Sequence, residues 1–228
     1  MIAQRLAEVR ARIDAVERPF DHPVSITAVT KTFPPETVAA AVAAGCNAIG
    51  ENYAQDLLSK RDVIESFEPS SRPRVDFIGQ LQSNKVRQLV GLVDRWCTVD
   101  RSSLVRELAK RAPGADVLVQ VDITGEDGKG GCAPDLVAEL VDRCAQSGLS
   151  VSGLLVVGPT DRPPADAASG FAAVRAMVDE LGLDVCSMGM TGDLEVAVAA
   201  GSTNVRIGSA IFGSRQDSPV HPEGSGRG

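Results

Sequence analysis

Residues 24–35 read VSITAVTKTFPP, and this stretch gives the clearest indication of the fold. The part from 24 to 29 is rich in β-branched residues, and Pro34 and Pro35 end any regular structure soon afterwards. A short apolar run that is closed by prolines predicts a buried strand. Lys31 therefore lies at the carboxyl end of a predicted first strand.

Similar short runs recur along the chain, and segments with helical periodicity separate them. The predicted strands are residues 24–29, 48–50, 75–78, 96–99, 117–123, 151–157, 185–187 and 204–207. The predicted helices are residues 35–44, 53–65, 84–93, 102–111, 133–147, 165–181 and 193–200. Because an open sheet of this many parallel strands leaves two edges uncovered, the pattern favours a (β/α)8 TIM-type barrel over a doubly wound sheet.

The two ends of the chain differ from this repeating pattern. An apolar stripe at the start predicts an added N-terminal helix, and it consists of Ile2, Leu6, Val9, Ile13 and Val16. Residues 214–228 contain Pro219, Pro222 and several glycines without apolar periodicity, so this tail is predicted to be disordered. We expect residues 1–213 to form a single barrel domain, with no residues left for a second one.

Composition excludes several classes of protein. The 228 residues are 43% hydrophobic and carry a net charge of −7, which argues against nucleic acid or an anionic membrane as a partner. The five cysteines are widely spaced and include no C-x-x-C pair, so neither disulfides nor a metal site is predicted. The charged N-terminus and the absence of a long apolar run predict a cytoplasmic location.

Two loops have the composition of a phosphate site. Residues 187–192, SMGMTG, follow the seventh predicted strand, and residues 206–209, RIGS, include the end of the eighth. Barrels of this type frequently bind phosphate at these two positions, where backbone N–H groups face the anion. Closure of the barrel makes the eighth strand the neighbour of the first. Lys31 is therefore predicted to border the phosphate site.

A lysine beside a phosphate site suggests covalent chemistry. The Lys31 amine becomes nucleophilic if burial or a nearby cation such as Arg206 lowers its pKa, and it can then form a Schiff base. The ligand implied is an aldehyde that carries a phosphate. Pyridoxal 5′-phosphate fits this description, and so does a phosphosugar in a Schiff-base aldolase.

With these residues in place, the chain resembles the pyridoxal phosphate homeostasis protein family, which is related to the N-terminal barrel of alanine racemase. The resemblance runs from about Ile2 to Arg215. It rests on residues 28–32 (AVTKT), 50–53 (GENY), 77–85 (FIGQLQSNK), 187–191 (SMGMT) and 205–213 (VRIGSAIFG).

The resemblance implies a role for particular residues and for the whole protein. It implies that Lys31 forms the internal aldimine and that Arg206 faces either the pyridine nitrogen or the phosphate edge. The other implied cofactor contacts are Asn52 beside the ring, Ser187, Gly208 and Ser209 at the phosphate, and Met188 in the same loop. The family is regarded as a monomeric, non-catalytic carrier or regulator of pyridoxal phosphate, with pyridoxal-phosphate-dependent enzymes as candidate partners.

Two positions depart from the family's pattern. Asp76 stands where the family usually has histidine, and Phe33 stands where a basic residue is common. Neither position belongs to the implied aldimine or phosphate groups. The departures put in question any role that the family gives to that histidine. They also put in question whether the surface around residue 33 contacts the same partner as in the family.

Two enzyme functions remain as alternatives to a carrier. A pyridoxal-phosphate-dependent racemase would use Lys31 as one base and would need a second acid/base group on the opposite face of the ring. A Schiff-base aldolase would use the same barrel and phosphate loops. Colour separates the aldolase from the others, because bound pyridoxal phosphate makes a protein yellow.

Overall fold

The computed structural model describes residues 1–213, so the tail predicted to be disordered lies outside the described residues. Eight parallel strands form a closed barrel in which each strand pairs with the next along the chain, which confirms the predicted (β/α)8 fold. The strands are β1 Ser25–Val29, β2 Ala48–Glu51, β3 Arg74–Phe77, β4 Arg95–Val99, β5 Asp116–Val121, β6 Ser150–Val156, β7 Val185–Ser187 and β8 Asn204–Ile207.

Helices surround the barrel, and an additional one precedes the first strand as predicted. They are α1 Ile2–Asp14, α2 Glu36–Ala43, α3 Ala54–Ser59, α4 Arg61–Glu65, α5 Val86–Leu89, α6 Ser102–Arg111, α7 Val137–Gln146, α8 Ala168–Glu180, α9 Leu194–Ala199 and α10 Ser209–Phe212. None of the helices within residues 1–213 has both the length and the apolar character needed to cross a membrane.

Closure joins the two strands that carry the predicted site. β8 pairs with β1 in parallel, with Thr27 opposite Arg206 and Ala28 opposite Ile207. Helix α1 covers this seam, because Leu6, Val9 and Ile13 are buried in the same apolar cluster as the outward-facing side chain of Ile207. The barrel therefore brings the end of the chain's first strand beside the loop after its last one.

The predicted helix over residues 53–65 is two helices. Helix α3 ends at Ser59 and α4 begins at Arg61, with Lys60 between them. The side chain of Lys60 is only 1% exposed and points into the protein, which apolar periodicity does not anticipate for a lysine. The break at this residue belongs to the functional site described below.

Several other boundaries differ from the sequence prediction, among them the starts of the helices predicted over residues 133–147 and 165–181, which are 3-10 turns. The helix predicted over residues 84–93 is a 3-10 turn, Ser83–Lys85, followed by one turn of α5, and Gly91 in the left-handed region lies beyond its end. Strand β5 stops at Val121 because the Asp122 carboxylate accepts hydrogen bonds from the N–H groups of the two residues that follow Ile123. The short helix α10 follows Gly208 directly. The sequence had predicted only a turn at these residues.

The apolar core lies outside the barrel, between strands and helices, whereas much of the barrel interior is polar. The Thr27 hydroxyl donates to Asp76 Oδ2 at 2.8 Å although β1 and β3 are not neighbours, so this bond crosses the interior. Arg74 and Asp76 form an ion pair at the amino-terminal end, and Arg95 pairs with Asp116. A polar interior of this kind can support charged groups at the carboxyl end of the barrel.

Candidate functional site

A cavity of about 520 Å³ opens at the carboxyl ends of the strands. Most of the predicted cofactor-binding residues line it, namely Lys31, Asn52, Arg206, Gly208 and Ser209. Its wall also includes residues that were not predicted to bind, namely Val29, Thr32, Phe33, Ile78, Val157, Met190, Thr191, Gly192 and Gly213. The loops after β7 and β8 thus meet the end of β1 around one space, as barrel closure predicts.

Ser187 and Met188 are not brought to this cavity. The Ser187 hydroxyl is buried, donates to Asn204 Oδ1 at 2.8 Å and accepts from Arg206 Nη1 at 2.9 Å. Met188 is fully buried in the apolar core, and its backbone N–H donates to the Asn204 carbonyl. Neither residue is among those that line the cavity, so their predicted role in cofactor binding stays a prediction. Ser187 orients Arg206.

Arg206 is a buried cation at the inner wall of the cavity. Its Nη1 donates to the Ser187 carbonyl and its Nη2 donates to the Val156 carbonyl, each at 2.8 Å. Burial lowers the pKa of this guanidinium. Within residues 1–213 no carboxylate lies within the 4.0 Å that would make an ion pair with it. Because a buried charge is stable only when it is compensated, the arrangement favours an anionic or electron-rich ligand here.

The loops after β7 and β8 form the outer wall. Ser209 Oγ hydrogen-bonds to Thr191 Oγ1 at 3.3 Å, so the two loops are directly connected. In the described chain the N–H groups of Ser209 and Ala210 have no backbone acceptor, as is usual in the first turn of a helix. These N–H groups and the two hydroxyls are donors suited to a phosphate. Thr191 was missed in the sequence prediction, although it lies in the quoted loop.

Asn52, which follows β2, also lines the cavity and carries an unused polar atom. Its side-chain oxygen is buried and has no hydrogen-bond partner among the described residues. The position is fixed by close packing, because a Cβ on Gly79 would lie only 1.8 Å from the Asn52 carbonyl oxygen. A ligand with a donor group would satisfy this amide.

The backbone that carries Lys31 is held by a buried ion pair that the sequence did not indicate. Lys60 Nζ lies 2.5 Å from Glu51 Oε1 and donates to the Thr30 carbonyl at 2.7 Å. The Thr30 hydroxyl donates to the same Glu51 oxygen at 2.6 Å. The side chains of Lys60 and Glu51 are 1% and 0% exposed. Residue 30 is therefore fixed through both its carbonyl and its side chain.

The residue after Lys31 is also constrained. Thr32 has a φ of 64°, in the left-handed region that a β-branched residue rarely adopts. Its N–H donates to Asp56 Oδ2 at 2.9 Å, which stabilises this conformation. Asp56 on α3 and Lys60 between α3 and α4 thus hold the backbone on both sides of Lys31. The Lys31 side chain is half-buried at the cavity wall.

The two departures from the family's pattern have structural explanations. Asp76 is buried inside the barrel and begins a chain of hydrogen bonds that passes through Thr27, Asn204 and Ser187 to Arg206. Asp76 therefore does not line the cavity, and it is linked to the cavity only through these side chains. Phe33 lines the cavity, and its ring packs against that of Phe212 with centroids 5.3 Å apart.

Comparison with known families agrees with this geometry. Residues 4–216 match the family described as the alanine racemase N-terminal domain. A pyridoxal phosphate homeostasis protein from Pseudomonas aeruginosa is 36% identical over 94% of this chain and 96% of its own length. The chain belongs to the pyridoxal phosphate homeostasis protein family. The homeostasis protein of Escherichia coli K12, also 36% identical, matches over 94% of this chain and 97% of its own length.

A solved structure of the family has a very similar barrel. PipY of Synechococcus elongatus, in its structure with PLP bound, superposes with a TM-score of 0.79 and is 30% identical. The match covers 93% of this chain and 100% of that protein. The family resemblance expected from the sequence is thus confirmed.

Proposed function

We propose that residues 1–213 form one domain that binds pyridoxal 5′-phosphate as a Schiff base on Lys31 and holds it without turnover. The observation that carries this proposal is the convergence of Lys31, the buried Arg206 guanidinium and two donor-rich loops on one cavity. The names of the relatives, and the PLP in the PipY structure, support the same cofactor.

Each wall of the cavity has a part in holding the cofactor. Lys31 supplies the amine, and Ser209, Thr191 and the first N–H groups of α10 supply donors to the phosphate. Arg206 compensates negative charge or contacts the ring nitrogen, and the buried Asn52 oxygen accepts from a ring substituent. When bound, pyridoxal phosphate supplies an electron sink for carbanions next to an imine.

The residues around the cavity favour storage over catalysis. The titratable groups that line it in the described chain are those of Lys31 and Arg206, and a guanidinium does not act as a base in a protein. Because the Arg206 guanidinium stays protonated, a pyridine nitrogen beside it would remain unprotonated. An unprotonated ring is a weaker electron sink. We infer a carrier whose recipients are pyridoxal-phosphate-dependent enzymes.

Colour and proton exchange test this function together. We expect the purified protein to be yellow, because bound pyridoxal phosphate absorbs visible light. A colourless protein in which analysis finds no cofactor would favour the aldolase. In deuterated water with L-alanine, we expect loss of the Cα proton to be far slower than enzyme turnover of about 1–10³ per second. NMR of the amino acid measures it, and exchange at enzyme rates would establish a catalyst instead.

The phosphate loops provide a second test. Replacing Ser209 with alanine removes one donor to a charged group, and such hydrogen bonds contribute about 1.5–3 kcal/mol. We therefore expect the affinity for pyridoxal phosphate, measured by absorbance titration, to fall roughly tenfold or more. Ser103→Ala, at an exposed serine on α6, serves as the control and should have no effect. Equal binding of pyridoxal and its phosphate would count against the phosphate site.

A further inference from the structure

A second cavity lies at the opposite end of the barrel, between α1 and the amino-terminal ends of β1 and β2. Its volume is about 420 Å³. Three arginines line it, Arg10 from α1, Arg18 from the loop after α1, and Arg74 from the start of β3. Among the lining residues of the described chain, Asp14 is the sole carboxylate. This concentration of guanidinium groups is unexpected in a chain with a net charge of −7.

The arginines of this cavity are incompletely satisfied. Arg10 donates to the Gly45 carbonyl at 3.2 Å, and Arg18 Nη1 is buried without a hydrogen-bond partner among the described residues. In the part of the chain that the structure describes, neither guanidinium has a carboxylate within the 4.0 Å of an ion pair. Arg74 binds Asp76 through Nε and Nη2, which leaves Nη1 for another partner. The cavity therefore has unused donors and positive charge.

The remaining wall limits what can fill the space. Ile13 and Val24 provide apolar surface, and Ser25 and Asn47 provide polar groups near the strand ends. Water can hydrate the guanidinium groups, but it does not match the apolar part of the wall. A small molecule with an oxyanion group and a short carbon body matches both, because guanidinium groups bind carboxylate and phosphate through paired N–H donors.

We propose that this cavity is a binding site for a small organic oxyanion, a carboxylate or a phosphate monoester, with Arg18 as its main contact. The site is at the far end of the barrel from Lys31, so it does not depend on the function proposed above. The ligand would complete the hydrogen bonds of Arg18, and it would accept further bonds from Arg10 and from Nη1 of Arg74.

The test is an NMR titration of the isotope-labelled protein, which locates binding as well as measuring it. Citrate represents carboxylates and glycerol 3-phosphate represents phosphate esters, each compared with sodium chloride at the same ionic strength. We expect saturable shifts at the amides of Ser25, Cys46 and Asn47 with at least one probe. Shifts at Gly208 and Ser209 would report separate binding at the cofactor cavity.

Variants make the assignment specific. Arg18→Ala should weaken binding at the amino-terminal cavity tenfold or more, whereas Arg106→Ala, which removes an exposed charge on α6, should leave it unchanged. If Arg18→Ala shows an altered melting temperature, Arg10→Ala provides the same comparison. The proposal is wrong if neither probe shifts these amides, or if Arg106→Ala weakens binding as much as Arg18→Ala does.

Discussion

Replacing Lys31 with alanine is expected to abolish the yellow Schiff-base absorbance while the protein stays folded. Lys31 lies at the cavity wall beside the donors of Ser209 and Thr191, and alanine has no amine to react with an aldehyde. The variant keeps the phosphate contacts, so weak binding without the characteristic absorbance should remain. Absorbance titration measures the loss of the Schiff base, and circular dichroism measures the fold.

A matched variant shows whether the effect belongs to this lysine. Lys85 lies in the 3-10 turn after β3 and lines a neighbouring cavity that also includes Tyr53. Lys85→Ala removes the same charge and the same kind of side chain, and we expect it to keep its absorbance. If Lys31→Ala kept the Schiff-base absorbance, or if Lys85→Ala lost it, Lys31 would not be the attachment site.

Replacing Lys60 with methionine should cause a large loss of stability. Lys60 and Glu51 form an ion pair in which both side chains are almost completely buried. Removing one partner of a buried pair leaves an uncompensated charge and typically costs about 3–5 kcal/mol. Urea unfolding measures the change in the free energy of unfolding. Arg143→Met breaks an exposed pair with Glu139 on α7 and should cost about 0.5 kcal/mol or less.

The pH dependence identifies the cause of this loss. Burial raises the pKa of Glu51, while the charge and hydrogen bond of Lys60 oppose that shift. Without Lys60 the pKa of Glu51 rises further above its value in the unfolded chain. A carboxyl group with a raised pKa binds protons more tightly in the folded state, so the stability lost at neutral pH should be partly recovered as the pH falls.

A double variant separates the charge from the packing. Lys60→Met combined with Glu51→Leu removes both charges, and apolar replacement of a buried ion pair is often neutral or stabilising. We expect the double variant to be more stable than Lys60→Met alone. A pH-independent loss that the second substitution does not reduce would indicate that Lys60 contributes only through packing.

The parts of the fold that the sequence predicted are those that depend on local pattern. The β-branched runs and helical stripes predicted every strand, and the prolines after Lys31 placed this lysine at a strand end. Closure then placed Arg206, Gly208 and Ser209 beside it. These inferences need only strand order and the direction of parallel strands, both of which the spacing of the runs indicates.

The sequence did not predict contacts between distant side chains. Nothing in the sequence distinguishes Lys60 from a lysine on the surface. Only the folded structure shows that it contacts Glu51 and Thr30. Ser187 was assigned to the phosphate because it begins the right loop, but a strand side chain can point inward and hydrogen-bond to Arg206 instead. Which way a side chain faces at the last residue of a strand depends on register, and the motif alone does not fix it.

The most direct test of the account is borohydride reduction of the protein with bound pyridoxal phosphate, followed by peptide mapping. Reduction converts a Schiff base into a stable secondary amine, so it marks the lysine that carried the cofactor. The account predicts a phosphopyridoxyl group on the peptide that contains Lys31. A modified Lys85 or Lys60, with Lys31 unmodified, would contradict it.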